Sequence, residues 1–187
     1  MPRRLYLARH GETEWNAIGR LQGHTNIPLN ERGRRQAREL GVAMRAHGVS
    51  EVITSDLARS HETGQIVAEV LGLSPPRVMP ELRERRFGVF EGLTRDQCVQ
   101  RYPEAWAAWH AQTGVPEGAE ALSDATARMH TVLADLLDSS ALVISHGGVM
   151  RLFLLDIFGA PPPPMRNGTT YVVEHDGDRF RARRLRM

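Results

Sequence analysis

The sequence predicts an α/β protein, a three-layer α/β/α sandwich around a mostly parallel central sheet that carries an antiparallel hairpin at one edge. Three observations predict it. Residues 5–8, 51–54 and 141–144 are short apolar or β-branched runs without strict polar alternation, as expected for parallel strands covered by helices on both faces. Stretches with helical spacing separate them. Near the end, two strand-like runs at 169–173 and 180–183 flank Asp176-Gly177, a hairpin turn dipeptide.

Taken in order, the run at 5–8 ends in Arg9-His10-Gly11. Asn30 caps a predicted helix over about 30–47 that stops at Gly48. The run at 51–54 leads through Ser55 into a second helix, with Asp56 as its expected cap, Arg59 inside it and Gly72 as its stop. A third helix, about 123–137, presents Ala125, Met129, Val132, Leu133 and Leu136 as one apolar stripe. The run at 141–144 ends in Ser145-His146-Gly147-Gly148 and feeds a short, mostly buried helix over 149–158. Four prolines at 161–164 predict an extended connector. The arginines of the last strand are expected to keep an exposed sheet edge soluble.

A chain of 187 residues without repeats is expected to form one domain, 1–187, in which residues about 85–138 make a helical lid or rim. No run of about 18 apolar residues suggests a membrane span, and the apolar stretch after Met1 is too short for a signal peptide. A lone Cys98 allows no internal disulfide, which suits a cytoplasmic location. All 24 basic residues are arginine, so chemistry built on a P-loop, kinase or Schiff-base lysine is excluded. A formal charge of +2 is too small to argue for nucleic acid. No nucleic-acid and no membrane partner is expected, and the protein is expected to be a monomer or homodimer.

In an open parallel sheet, ligands bind beyond the carboxyl ends of the strands. If the three runs are neighbours, Arg9, His10, Arg59 and His146 meet there, beside helix N-termini whose amides attract anions. Such a pocket fits a compact, highly charged anion, and phosphate fits best, so the expected partner is a small phosphorylated metabolite. A metal held by His10, His146 and a carboxylate is the rival reading. Fixed arginines repel a divalent ion, and no HExxH or CxxC spacing is present, so neither metal nor cofactor is expected.

Several separated motifs then converge. They are Arg9-His10-Gly11-Glu12-Thr13 with Trp15-Asn16, Leu21-Gln22-Gly23-His24, and Pro28-Leu29-Asn30-Glu31-Arg32-Gly33. Ser55-Asp56-Leu57-Ala58-Arg59, Leu82-Arg83-Glu84 and Ser145-His146-Gly147-Gly148 complete the series. In this order they resemble the histidine phosphatase superfamily, the phosphoglycerate mutase-like proteins, and within it the small phosphatases.

The resemblance implies that His10 is a nucleophile forming a phosphohistidine, its other ring nitrogen donating to a carbonyl or carboxylate. Arg9 and Arg59 would hold the phosphoryl oxygens, with a protonated His146, Asn16 and the Gly147 amide as further donors. Composition alone leaves Glu81, Glu84 and Glu91 open as the proton donor; the resemblance selects Glu84 as general acid and later base. Gln22, Gly23 and His24 would shape the substrate rim. Trp106 and Trp109, at helical spacing, either touch the organic part of the substrate or form one packed face. Metal-independent phosphomonoester hydrolysis is favoured over phosphoglycerate mutase activity, because the segment between the acid and the second histidine is short. A non-catalytic phosphate-binding module is the remaining alternative.

Overall fold

In the computed structural model, which describes residues 4–177 and 179–186, six strands form one sheet. They are β1 (Leu5–Arg9), β2 (Glu51–Thr54), β3 (Arg77–Val78), β4 (Ala141–Ser145), β5 (Thr170–His175) and β6 (Phe180–Arg184), in the order β3-β2-β4-β1-β5-β6. Strand β4 is central and parallel to both β1 and β2, so Arg9 pairs with Ser145 and Thr54 with Ile144. The three predicted runs are therefore neighbours, and their carboxyl ends lie side by side. Strands β5 and β6 add the antiparallel edge.

The apolar runs are explained by burial on both faces. Leu5, Leu7, Ile53 and Val143 face one core with Tyr171 and Val173, whereas Tyr6, Ala8, Val52, Leu142 and Ile144 face the other with Val172. The first core is covered by α6 (Leu122–Ala134) and α7 (Gly147–Phe158), the second by α2 (Glu31–Met44) and α3 (Ala58–Leu71). Each fully buried side chain of this kind contributes at most about 1.5–3 kcal/mol of transfer free energy. The remaining helices are α1 (Glu14–Ala17), α4 (Arg95–Arg101) and α5 (Pro103–His110).

Asn30 caps α2 by accepting from the Gly33 amide at 2.8 Å, and a 3₁₀ turn over Arg45–His47 finishes it before Gly48. Helix α3 stops at a left-handed Gly72. The expected cap Asp56 does not cap it. Leu57 occupies that position and the Ala58 amide donates to Asn26 at 2.7 Å, while the Asp56 carboxylate pairs with the Arg83 guanidinium. A residue near in sequence lost to a charged partner 27 positions away, because two N–H donors outweigh one. Gly64 is required by close approach, since a Cβ there would sit 2.2 Å from Thr54 Cγ2. Helix α3 therefore lies tight on β2, which fixes how far Arg59 reaches.

Residues 85–138 divide into two parts. Helix α6 belongs to the sandwich and packs on α7, burying Ala125, Met129, Val132 and Leu133. The 85–121 portion, with α4 and α5, gathers around Phe90, whose ring lies 4.8 Å from Trp109 and 5.3 Å from Trp106.

Candidate active site

The carboxyl ends of β1 and β4 and the start of α3 enclose a cavity of about 330 Å³. Arg9, His10, Asn16, Gln22, Arg59, Glu84 and Gly147 all line it.

His10 directly follows β1 and is buried. Its Nδ1 lies 2.6 Å from the Gly11 carbonyl oxygen, which only accepts, so Nδ1 carries the proton and Nε2 holds a free lone pair. Burial, then the neighbouring Arg59 and Arg9 charges, hold its pKa well below the ordinary histidine value, so the ring is neutral at pH 7. The backbone around it is braced: Asn167 Nδ2 donates to the His10 carbonyl at 2.9 Å, and the Gly11 amide donates to Thr63 Oγ1 at 3.0 Å.

Arg9 donates through one terminal nitrogen to the Met165 carbonyl at 2.7 Å, and its buried Nε has no protein partner. Gln22 Oε1 is the second buried polar atom of the lining without one. Arg59 is almost wholly buried, and its donors hold the Gly23 carbonyl at 2.8 Å, the Thr25 carbonyl at 3.0 Å and His146 Nδ1 at 3.2 Å. Burial lowers its pKa to about 10, opposed by Glu84 and Glu91, so it remains charged. Two arginines fixed in this way present charge without reorganisation.

His146 stands with its ring centroid 5.0 Å from that of His10. It was expected to be protonated and to donate to phosphate; the structure gives it a different arrangement. An arginine only donates, so His146 Nδ1 is an acceptor from Arg59 and Nε2–H points at Ser55 Oγ, 2.7 Å away. Burial, then Arg59, lowers its pKa well below the ordinary value. Both nitrogens are engaged within the protein, one with Ser55 and one with Arg59. Sequence reading missed this because Ser55 and His146 are 91 positions apart.

Glu84 is buried, and its oxygens accept the Arg85, Gly148 and Val149 amides, each at 2.8 Å. Two of those amides open α7, so the helix that follows β4 positions the carboxyl group. A Cβ on Gly148 would lie 2.6 Å from Glu84 Oε1, so glycine is needed for this approach. The other carboxylates left open by composition are elsewhere. Glu81 is exposed, and Glu91 ties the rim, accepting from the His24, Thr25 and Phe87 amides.

Of the rim residues, Gln22 lines the cavity. Gly23 and His24 support it from behind instead: Gly23 offers its carbonyl to Arg59, and His24 Nε2 donates to the Glu84 carbonyl at 2.8 Å. Trp106 and Trp109 do not line the cavity; they form the packed face, and Phe87 supplies the aromatic wall. Four further lining residues were not anticipated: Arg20, Phe87, Arg151 and Met165. Among the described residues no group of three His, Cys, Asp or Glu side chains is placed to hold a metal ion.

The chain is similar to known proteins along most of its length. A probable phosphoglycerate mutase GpmB from Klebsiella pneumoniae is 35% identical over 167 residues, covering 84% of this chain and 75% of that protein. The solved mycobacterial glucosyl-3-phosphoglycerate phosphatase in complex with VO3 superposes with a TM-score of 0.85 at 29% identity, covering 97% of this chain and 98% of the other. A putative α-ribazole-5′-P phosphatase from Escherichia coli gives 0.84 at 29% identity over 100% and 97% of the two chains. Residues 5–187 match the histidine phosphatase superfamily (branch 1), and the chain belongs to that superfamily.

Proposed function

We propose that this protein hydrolyses small phosphomonoesters without a metal ion, through a phosphohistidine on His10. One observation carries the reading: the Gly11 carbonyl accepts a hydrogen bond from His10 Nδ1–H, which leaves Nε2 unprotonated in a cavity walled by two buried guanidiniums. Nε2 attacks phosphorus in line while the ester P–O bond breaks, and Glu84 passes to the departing alkoxide the proton that the monoanionic ester brings into the site. Arg9, Arg59 and the Gly147 amide stabilise the equatorial oxygens, a role that in many phosphoryl-transfer sites falls to magnesium. Glu84, now a carboxylate, takes a proton from water as the oxygen attacks phosphorus; phosphate leaves and His10 is restored.

The test is covalent trapping. Brief exposure to a ³²P-labelled phosphomonoester in excess chelator, followed by alkaline quench, is expected to leave base-stable, acid-labile label on the parent and none on His10→Ala. Label on the variant, or activity abolished by chelator, overturns the reading.

The wall also speaks to the substrate. Arg9, Arg20, Arg59 and Arg151 line the cavity with Glu84 as the one carboxylate, more positive charge than one phosphate neutralises. Arg151 on α7 has no ion-pair partner among the described residues, so it is placed to meet a second anionic group. Relatives named for phosphoglycerates agree with that class. Arg151→Ala is expected to raise KM for 3-phosphoglycerate about tenfold, the low end for an exposed charge-assisted contact. KM for p-nitrophenyl phosphate should stay within about twofold; equal shifts on both would remove Arg151 from substrate recognition. Product analysis of the same assay separates hydrolysis, which releases phosphate, from mutase action, which yields 2-phosphoglycerate.

A further inference from the structure

Behind the loop that carries His10 lies a second and larger cavity of about 860 Å³, between α2 and the end of β6. The proposed chemistry does not use it. Arg166, Arg184 and Arg186 line it, and none has an ion-pair partner among the described residues. Its apolar lining comes from Leu40, Ala43 and Leu185. One carboxylate, Glu39, shares the lining, so the wall is cationic overall. Three guanidiniums beside an apolar strip are the complement of a small organic polyanion: charge for the phosphates, and a dry surface for a ring.

A second observation connects the two cavities. The turn 166–170 lines the rear one, and Met165, immediately before it, lines the active site. This same turn clamps the catalytic loop. Met165 takes a guanidinium hydrogen bond from Arg9, the Thr169 carbonyl accepts the Arg9 amide at 3.0 Å, and the Gly168 amide donates to the Arg9 carbonyl at 3.0 Å. Asn167 donates to the His10 carbonyl at 2.9 Å and to Asn16 Oδ1 at 3.2 Å. On the opposite wall Gln36 accepts the Glu12 amide at 2.9 Å. A ligand seated on the rear face therefore touches the residues that set the position of His10 and Arg9.

We propose that this rear cavity is a binding site for a nucleotide-sized polyanion, and that its occupancy is transmitted to His10 through Asn167. The coupling requires only that bound and free states differ in how the 165–169 turn is held.

The probe is ADP without divalent ions, titrated calorimetrically into the parent protein with orthovanadate occupying the active site. One equivalent is expected to bind. The double variant Arg166→Ser/Arg184→Ser, in which neither side chain has a hydrogen bond or ion pair to the catalytic loop among the described residues, is expected to bind at least tenfold more weakly while hydrolysing p-nitrophenyl phosphate at the parental rate. If that variant melts well below the parent, Arg186→Ser alone carries the same expectation. Saturating ADP is expected to change the maximal p-nitrophenyl phosphate turnover of the parent at least threefold, and of the variant not at all. Absence of vanadate-resistant binding, or undiminished binding in the variants, overturns the site; binding with unchanged turnover overturns the coupling. The calorimetric arm does not depend on the phosphatase reading, so a protein inactive on p-nitrophenyl phosphate would defeat that reading and still decide this one.

Discussion

Glu84→Gln is expected to lower turnover of an alkyl phosphate about 1000-fold, within the range that general acid catalysis supplies. The alkoxide cannot depart without a proton, and no other carboxyl group lines the cavity. A p-nitrophenolate needs little such help, so phosphorylation of His10 by p-nitrophenyl phosphate is expected to survive largely intact. Hydrolysis of the phosphohistidine still needs a base, and glutamine is none. The variant should therefore release about one equivalent of p-nitrophenolate per site in a fast burst and then slow sharply. The amide also meets N–H donors on both sides, from Arg85 and Val149 at one oxygen and Gly148 at the other, which costs about 1–3 kcal/mol of stability. Proportionate losses on both substrates without a burst would move the proton donor to another residue.

Stability is expected to fall steeply as the pH drops below neutrality, and the cause is the same pair of buried imidazoles. His10 and His146 have folded pKa values pushed well below the unfolded value of about 6.5, by burial first and by Arg59 next. Between the folded and unfolded values the unfolded chain binds more protons, so acid favours unfolding. The stabilisation is complete above about pH 7 and declines through and below 6.5. The loss for each histidine is at most about 1.4 kcal/mol per pH unit below the unfolded pKa, as long as its ring stays neutral in the fold. Urea titrations at about pH 7.5 and about pH 5 read this directly, and His146→Asn is expected to halve the slope. A flat profile over that window would mean that the rings ionise within the folded protein.

Much of this molecule is legible in its residues, for identifiable reasons. Strands β1, β2 and β4 are covered on both faces, so their sequences are apolar or β-branched without strict polar alternation, and the shared direction of the three brings Arg9, His10 and Arg59 to one end. The short β3 escapes because both of its residues are exposed and only pairing with β2 defines it. Asp56 looks like a cap until Arg83 is beside it. The charge state of His146 depends on burial and on Arg59, neither of which neighbouring residues reveal. Thr63 and Asn167 sit at no motif spacing, yet they fix the Gly11 amide and the His10 carbonyl. Position along the chain says little about such bracing groups, which are chosen by the fold.

The distance along the chain that these braces span has a consequence for how the protein folds. Arg59 meets His146 across 87 positions, and Asn167 meets His10 across 157. The amino-terminal part by itself holds the His10 loop only through Thr63 and Gln36, without the later braces from His146 and Asn167. Loop closure over such spans is slow compared with helix formation. The reactivity proposed for His10 thus requires the segments around His146 and Asn167 to have docked against the first strand.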